Sequence, residues 1–245
     1  MPTGSTERAA WHGIIQNIGL LALNGVVWTF CAYLFAGVGQ ALPLPGKMDP
    51  FGTWPLFAQT LAMLLIFDLA YYINHRMIHT KWLWPIHVLH HSDRAMTFST
   101  AYRIHILQGA HFALLSLVLI GWLSLPAEAA ALTFVIRNWY GMYVHSRLPV
   151  RHGWLEPVLV SPNYHRWHHA DDPDVYGKNL ADMFPVWDIL FGTHHRAGWC
   201  DVPLGVSGAP DDIFRAQLHP FARWRDLWRG RTGAPHTEPD APVGS

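Results

Sequence analysis

From His12 to Gly37 the chain runs for 26 residues without a Lys, Arg, Asp or Glu (HGIIQNIGLLALNGVVWTFCAYLFAG). An α-helix needs about 20 predominantly apolar residues to cross the hydrocarbon core of a bilayer. Three further apolar blocks follow, at residues 55–74, 108–125 and 127–144. With 51% hydrophobic and 14% charged residues distributed in this way, the sequence reads as an integral membrane protein rather than a large soluble domain. The first block exceeds a signal-peptide core and has no small-residue cleavage pattern after it, so it is expected to stay in the mature chain. The third block (QGAHFALLSLVLIGWLSL) and the fourth (AEAAALTFVIRNWYGMYV) meet at Pro126, which predicts a transmembrane hairpin.

Of the seventeen Lys and Arg residues, only Lys47 falls in the loop after the first block. The positive-inside rule then places both termini and the histidine-rich segments in the cytoplasm, with Lys47 and Pro126 on the far side. The two cysteines, Cys31 within the first block and Cys200 in the cytoplasmic portion, do not suggest a disulfide. Residues 1–231 are expected to form one domain, followed by a polar, Pro/Gly-rich tail at 232–245 expected to be disordered. Zero net charge says little about partners, and no nucleic-acid partner is expected.

Of seventeen histidines, all but three lie between positions 75 and 195, and their spacing is ordered. His75 and His79 are four apart; His87, His90 and His91 form an H-x-x-H-H pattern, repeated by His165, His168 and His169; His145 stands alone at the end of the fourth block. On a helix, positions i, i+3 and i+4 share a face, and neutral imidazoles three or four apart can reach one first-row metal ion together. Nine such residues exceed what one ion takes, so the count fits two metals. Isolated histidines such as His12 and His219 read instead as polar anchors. HRMIH has the spacing of a zinc-protease helix but carries Arg76 where the general-base Glu belongs. Ferritin-like sites need Glu-x-x-His pairs, and the chain has none.

These residues resemble the fatty acid hydroxylase and sterol desaturase superfamily of membrane di-iron oxygenases. The likeness runs from about Asp68 to Thr193, through DLAYYINHRMIH, LWPIHVLHHSD, STAYRIH, the His of YVHS, SPNYHRWHH and NLADMFPVWDILFGT. It implies an all-α fold of about four transmembrane helices under a cytosolic helical cap that holds a dinuclear centre. It also implies oxidation of a lipid, by hydroxylation or desaturation, with O2 and electrons supplied from outside. Carried over by motif, the ligands of two iron ions would be His75, His79, His87, His90, His91, His145, His165, His168 and His169. Asn179 would be a further or water-bridged ligand, His105 and His152 are additional candidates, and His194 would support a ligand or lie exposed. Imidazole sites also take zinc, which a purified sample could carry. Leu180 replaces an aromatic of the family pattern and Pro185 interrupts the approach to Trp187. In the ether-lipid branch, alkylglycerol monooxygenase, a Glu follows the second His where this chain has Thr80.

The chain has no flavin, dinucleotide or haem-carrier motif, so electrons are expected from a separate protein. The basic residues Arg147, Arg151, Arg166, Arg215, Arg223, Arg225 and Arg229 could receive an acidic carrier or anionic headgroups. Tyr71, Tyr72, Trp82, Trp84, Trp139, Tyr140 and Tyr143 suit a membrane interface. Asp68 and Arg137 precede His75 and His145 by seven and eight residues, which puts both roughly 10–12 Å below the site at 1.5 Å per residue. They are expected to pair, or else Asp68 hydrogen-bonds a ligand imidazole. The substrate could be an acyl chain, sterol, carotenoid, aminolipid or ether lipid. Outside oxygenases, a bis-His haem carrier would put its ligands within the spans, and a metal transporter would line a path through them with polar groups.

Overall fold

A computed structural model describes residues 4–41, 51–123, 126–206 and 212–231. Lys47 and the 232–245 tail lie outside the described residues. Four long helices account for the apolar blocks: α1 (Gly4–Ala41), α2 (Leu56–Ile78), then, after a four-residue α3 (Trp84–His87), α4 (Ile106–Trp122) and α5 (Ala127–Val144). Shorter elements follow as α6 (Pro162–His168), α7 (Val186–Leu190) and α8 (Ile213–Trp228), with single 3-10 turns at His90–Ser92 and Phe98–Tyr102 among the connections. Among the described residues there is no strand, only one isolated antiparallel bridge between Ala170 and Leu204. The all-helical class read from the sequence is therefore the observed one.

Two of these helices, over Ala10–Phe35 and Leu56–Ile78, are long and apolar enough to cross a membrane; Ile106–Ile120 is apolar but shorter. α1 packs along α4 and α2 along α5. The bundle turns large apolar side chains outward, among them Phe30, Tyr33, Phe134 and Trp139, each more than 60% exposed. Large apolar side chains exposed in this number suit a lipid surround. α1 meets α4 at Gly109, where any Cβ would collide with Asn24 Oδ1.

Polar groups inside the bundle are spent on joining elements. Asn17 Nδ2 donates to Ser99 Oγ at 3.0 Å, and Asn24 Nδ2 to the Ile104 carbonyl at 2.9 Å, tying α1 to the segment before α4. Asp68 on α2 is fully buried and pairs with Arg137 on α5 at 3.4 Å, as expected from their matched depth. Arg137 also holds Asp182 at 2.9 Å. Asp68 accepts in addition from the Met183 and Phe184 amides and the Trp187 indole, each at 3.0 Å, and its partners include no imidazole. One carboxylate thus fixes α2, α5 and the 182–187 segment together. Pro185, which interrupts that segment, is the N-cap of α7.

Candidate metal centre

The C-terminal end of α2 delivers His75 on its last turn and His79 as its C-cap, while His145 caps α5 in the same way. α6 begins at Ser161, whose hydroxyl accepts from the Tyr164 amide, with Pro162 in the first turn; this start orients His165 and His168 on the helix and His169 at its C-cap. These are strong helix-start signals, because the Ser oxygen satisfies an otherwise unpaired amide and Pro needs none. The other triplet is not one helix. His87 ends α3, and His90 and His91 sit in a 3-10 turn.

The nine histidines come together in two buried groups: His75, His79, His87, His91 and His168 in the first, and His90, His145, His165 and His169 in the second. Within each, one ring nitrogen per residue lies within 4.8 Å of all the others. Each triplet is split. His87 and His91 enter the first group while His90 crosses to the second; His165 and His169 enter the second while His168 crosses to the first. The expectation that i, i+3 and i+4 would share one face is corrected here: the i, i+4 pair stays together and the i+3 ring goes to the neighbouring group. The crossing rings stack on their triplet partners, His87 on His90 and His165 on His168, with centroids 5.2 Å apart in both pairs.

Nε2 atoms face each other at short range: His75 to His87 at 3.1 Å and His87 to His91 at 3.2 Å in the first group. In the second, His90 to His145 is 3.1 Å, His145 to His165 2.9 Å and His165 to His169 3.2 Å. Ligand nitrogens about 2.1 Å from an ion stand roughly 3 Å apart, so these spacings fit coordination. Among the described residues His79 Nε2 and His168 Nε2 are buried without a hydrogen-bond partner, which is costly unless something else satisfies them. Among the described residues no Asp or Glu belongs to either group. The donor set is therefore all imidazole and fits two first-row metal ions.

Several rings are fixed from behind. The Nδ1 atoms of His75, His145 and His168 lie 2.7, 2.7 and 2.9 Å from the carbonyls of Leu180, Gly141 and Lys178. His87 Nδ1 lies 3.1 Å from Gln108 Oε1. An Nδ1–H donated to such an oxygen sets the tautomer and leaves the Nε2 lone pair for a metal. Burial pushes His87 down to about 3 against the Gln108 contact, and His145 and His168 to about 4 against their carbonyl contacts. Burial, and then the neighbouring imidazoles, hold His79, His90, His91, His165 and His169 well below the usual histidine value. These rings are neutral at pH 7, the state a metal needs.

The additional candidates stand apart from the two groups. His105 caps α4, its Nδ1 accepting from the Leu107 amide, and its Nε2 meets the Gln217 carbonyl. His152 lies between the Tyr143 hydroxyl and the Leu159 carbonyl. His194 Nδ1 is 3.1 Å from the Tyr164 hydroxyl. Asn179, at φ +54°, donates to the Tyr164 carbonyl and accepts from the His195 amide, which occupies both ends of its amide. Gln108 and the three carbonyls were not legible as site elements; Gln108 left the one signal, a polar residue opening an apolar block.

A family model for fatty acid hydroxylases matches residues 60–193, more than half of the chain. The chain belongs to the fatty acid hydroxylase family, a family of oxygenases acting on lipids. Among relatives of this fatty acid hydroxylase domain, an ornithine lipid hydroxylase from Rhizobium tropici is 30% identical over 90% of the chain and 67% of its own length. The human alkylglycerol monooxygenase is 33% identical over 88% of the chain, which spans only 47% of that enzyme. A very-long-chain aldehyde decarbonylase from Oryza sativa subsp. indica is 26% identical over 76% of the chain and 66% of its own length. No solved structure matches.

Proposed function

We propose that the protein is a multi-pass membrane oxygenase that hydroxylates, or desaturates, a lipid at a di-iron centre, with O2 as oxidant and electrons from a separate donor protein. The two all-imidazole groups carry this reading. Iron held there would supply the oxidising power to break an unactivated C–H bond. The chain's own residues do the preparation: burial keeps the imidazoles neutral, and Leu180, Gly141, Lys178 and Gln108 turn four of them so that Nε2 points inward. His75, His79, His87, His91 and His168 would hold one ion and His90, His145, His165 and His169 the other.

In this proposal α1, α2, α4 and α5 all span, with the termini and both histidine groups on the cytoplasmic side under the charge bias of the loops. The short elements around the ends of α2 and α5 form the cap. A lipid would then reach the centre from the bilayer while the electron donor approaches from water. Two of the three named relatives, those with the higher identity, are named for ornithine lipid and alkylglycerol, so a lipid with a polar head is favoured over a sterol. An ether-lipid monooxygenase is the second reading, supported by the likeness to alkylglycerol monooxygenases. Against it stands Thr80, whose hydroxyl merely donates to the Met77 carbonyl.

The test is metal content of the detergent-purified chain and of its His90→Ala and His168→Ala variants. About two metals per chain, falling in both variants and supporting O2-dependent lipid oxidation only as iron, is the expected result. One metal or none, unchanged by either substitution, would end the proposal.

A further inference from the structure

Beside the second histidine group lies an open cleft of about 660 Å³, into which Arg94, Arg147 and Arg166 all project. Apolar side chains, among them Leu148, Val202 and Leu204, line most of the rest with Asn163, and no carboxylate does. None of the three guanidinium groups has an ion pair or hydrogen bond among the described residues, whereas those of Arg137, Arg151 and Arg225 each have a carboxylate partner. Three like charges gathered in one concavity repel one another and strengthen each other's pull on an anion.

The cleft is built, not incidental. Asn163 and Arg166, one turn apart on α6, face it, while His165 and His169 on the same segment belong to the second histidine group. One helix is the wall between the two. Asn163 donates to the Gly198 carbonyl and accepts from the Cys200 amide, at 3.0 and 2.9 Å, and so fixes the segment that forms the cleft's other side. Arg147 and Leu148 come three and four residues after the end of α5 at Val144. With at most about 3.5 Å per residue, that keeps them within roughly 15 Å of the span's end, in reach of the headgroup layer.

We propose that this cleft binds the anionic head of a membrane lipid, a phosphate or carboxylate borne on an apolar tail. Its volume falls in the range of small-molecule pockets, about 300–1,000 Å³, whereas a carrier protein would need an open face of roughly 800 Å². Guanidinium forks match the oxyanion, and the apolar lining suits the first carbons of the tail. The proposal rests on the membrane placement given above and not on the metal chemistry.

The experiment is native mass spectrometry of the full chain in neutral detergent micelles, titrated with dioleoylphosphatidylglycerol, dioleoylphosphatidylcholine or inorganic phosphate. One phosphatidylglycerol per chain should bind in preference to phosphatidylcholine. Arg94→Gln and Arg147→Gln should each weaken it about tenfold, the loss of one charged hydrogen bond, with Arg94→Lys falling between. Metal per chain, read in the same spectra, should not change, so failure of the cleft and failure of the di-metal reading are separate outcomes. Unchanged lipid binding in both Gln variants would overturn the proposal. So would displacement of the lipid by phosphate at equal concentration, which would assign a free anion. Variants that keep the lipid but lose an acidic ferredoxin would move the cleft to protein docking.

Discussion

The two histidine groups have the same chemistry and different support. In the first, His75, His87 and His168 are each held through Nδ1 by an oxygen at 2.7 to 3.1 Å. In the second, among the described residues, only His145 is so held, while Nδ1 of His90, His165 and His169 is buried with no partner. A ring whose tautomer is set before the metal arrives loses less freedom on binding and is a better base. The first group is therefore the more pre-organised, and the second would depend on a bound ion to fix three of its four rings. An all-imidazole pair of sites can be built asymmetric without changing a single ligand type.

The largest test of that asymmetry removes a ligand from each side. His87 Nε2 touches both His75 and His91, and His165 Nε2 touches both His145 and His169. His87→Ala should lower metal content from about two to about one per chain, and His165→Ala likewise but from the other group, each with activity falling to background. Elemental analysis with a spectroscopic label for each ion would distinguish them. Loss of both ions from either variant would mean one cooperative cage and would break the comparison.

Arg137 sits beneath both groups and should not discriminate between them. It bridges Asp68 and Asp182, and Asp68 anchors Met183, Phe184 and Trp187. Arg137→Leu leaves two buried carboxylates without their cation, a change that costs about 3–5 kcal/mol. Thermal unfolding in micelles should show it, with metal lost from both groups together. Loss confined to one group would mean that α5 alone, not the α2–α5 register, depends on this pair.

The long helices were legible because bilayer-length apolar runs leave little choice, and α2, α4 and α5 begin and end within about four residues of the blocks read from sequence. The nine histidines were legible as a set because their spacing is local. Their division was not: both triplets send the i+3 ring to the other group, one across the 3-10 turn at His90–Ser92 and the other within α6, so H-x-x-H-H spacing does not say which group a ring joins. His105 and His152 were legible only as histidines, and their actual partners are Leu107, Gln217, Tyr143 and Leu159. The supporting carbonyls of Leu180 and Lys178 had no signature at all, since every residue has a carbonyl and only tertiary structure aims it. The Asp68–Arg137 pair was inferable because two charges inside apolar helices at one depth have few other ways to be satisfied.

A smaller effect isolates the support itself. Gln108, buried at the start of α4, touches His87, a proposed ligand, at its Nδ1. Gln108→Leu keeps the volume and removes the acceptor, and should weaken only the first ion, by about 10- to 100-fold. Chelator competition on the variant would read it. Equal weakening of both ions would mean that Gln108 acts by holding α4 in place rather than by setting the His87 tautomer.

The finest distinction is in pH. Folded, metal-free protein holds His87 at about 3 and His145 and His168 at about 4, against about 6.5 in the unfolded chain. Between those values the unfolded state carries more protons, so stability is complete above about pH 6.5 and falls as pH drops toward 4 and 3. Both groups share this loss, and acid unfolding of the apo-protein should be steep. Metal release should not be shared. Protons compete with an ion for Nε2, and where Nδ1 has no fixed partner a protonated ring can turn away more freely. The second ion should leave first on acidification, at a higher pH than the first. Release of both at the same pH, in a titration followed by metal-sensitive dye, would show that the missing Nδ1 partners carry no energetic weight.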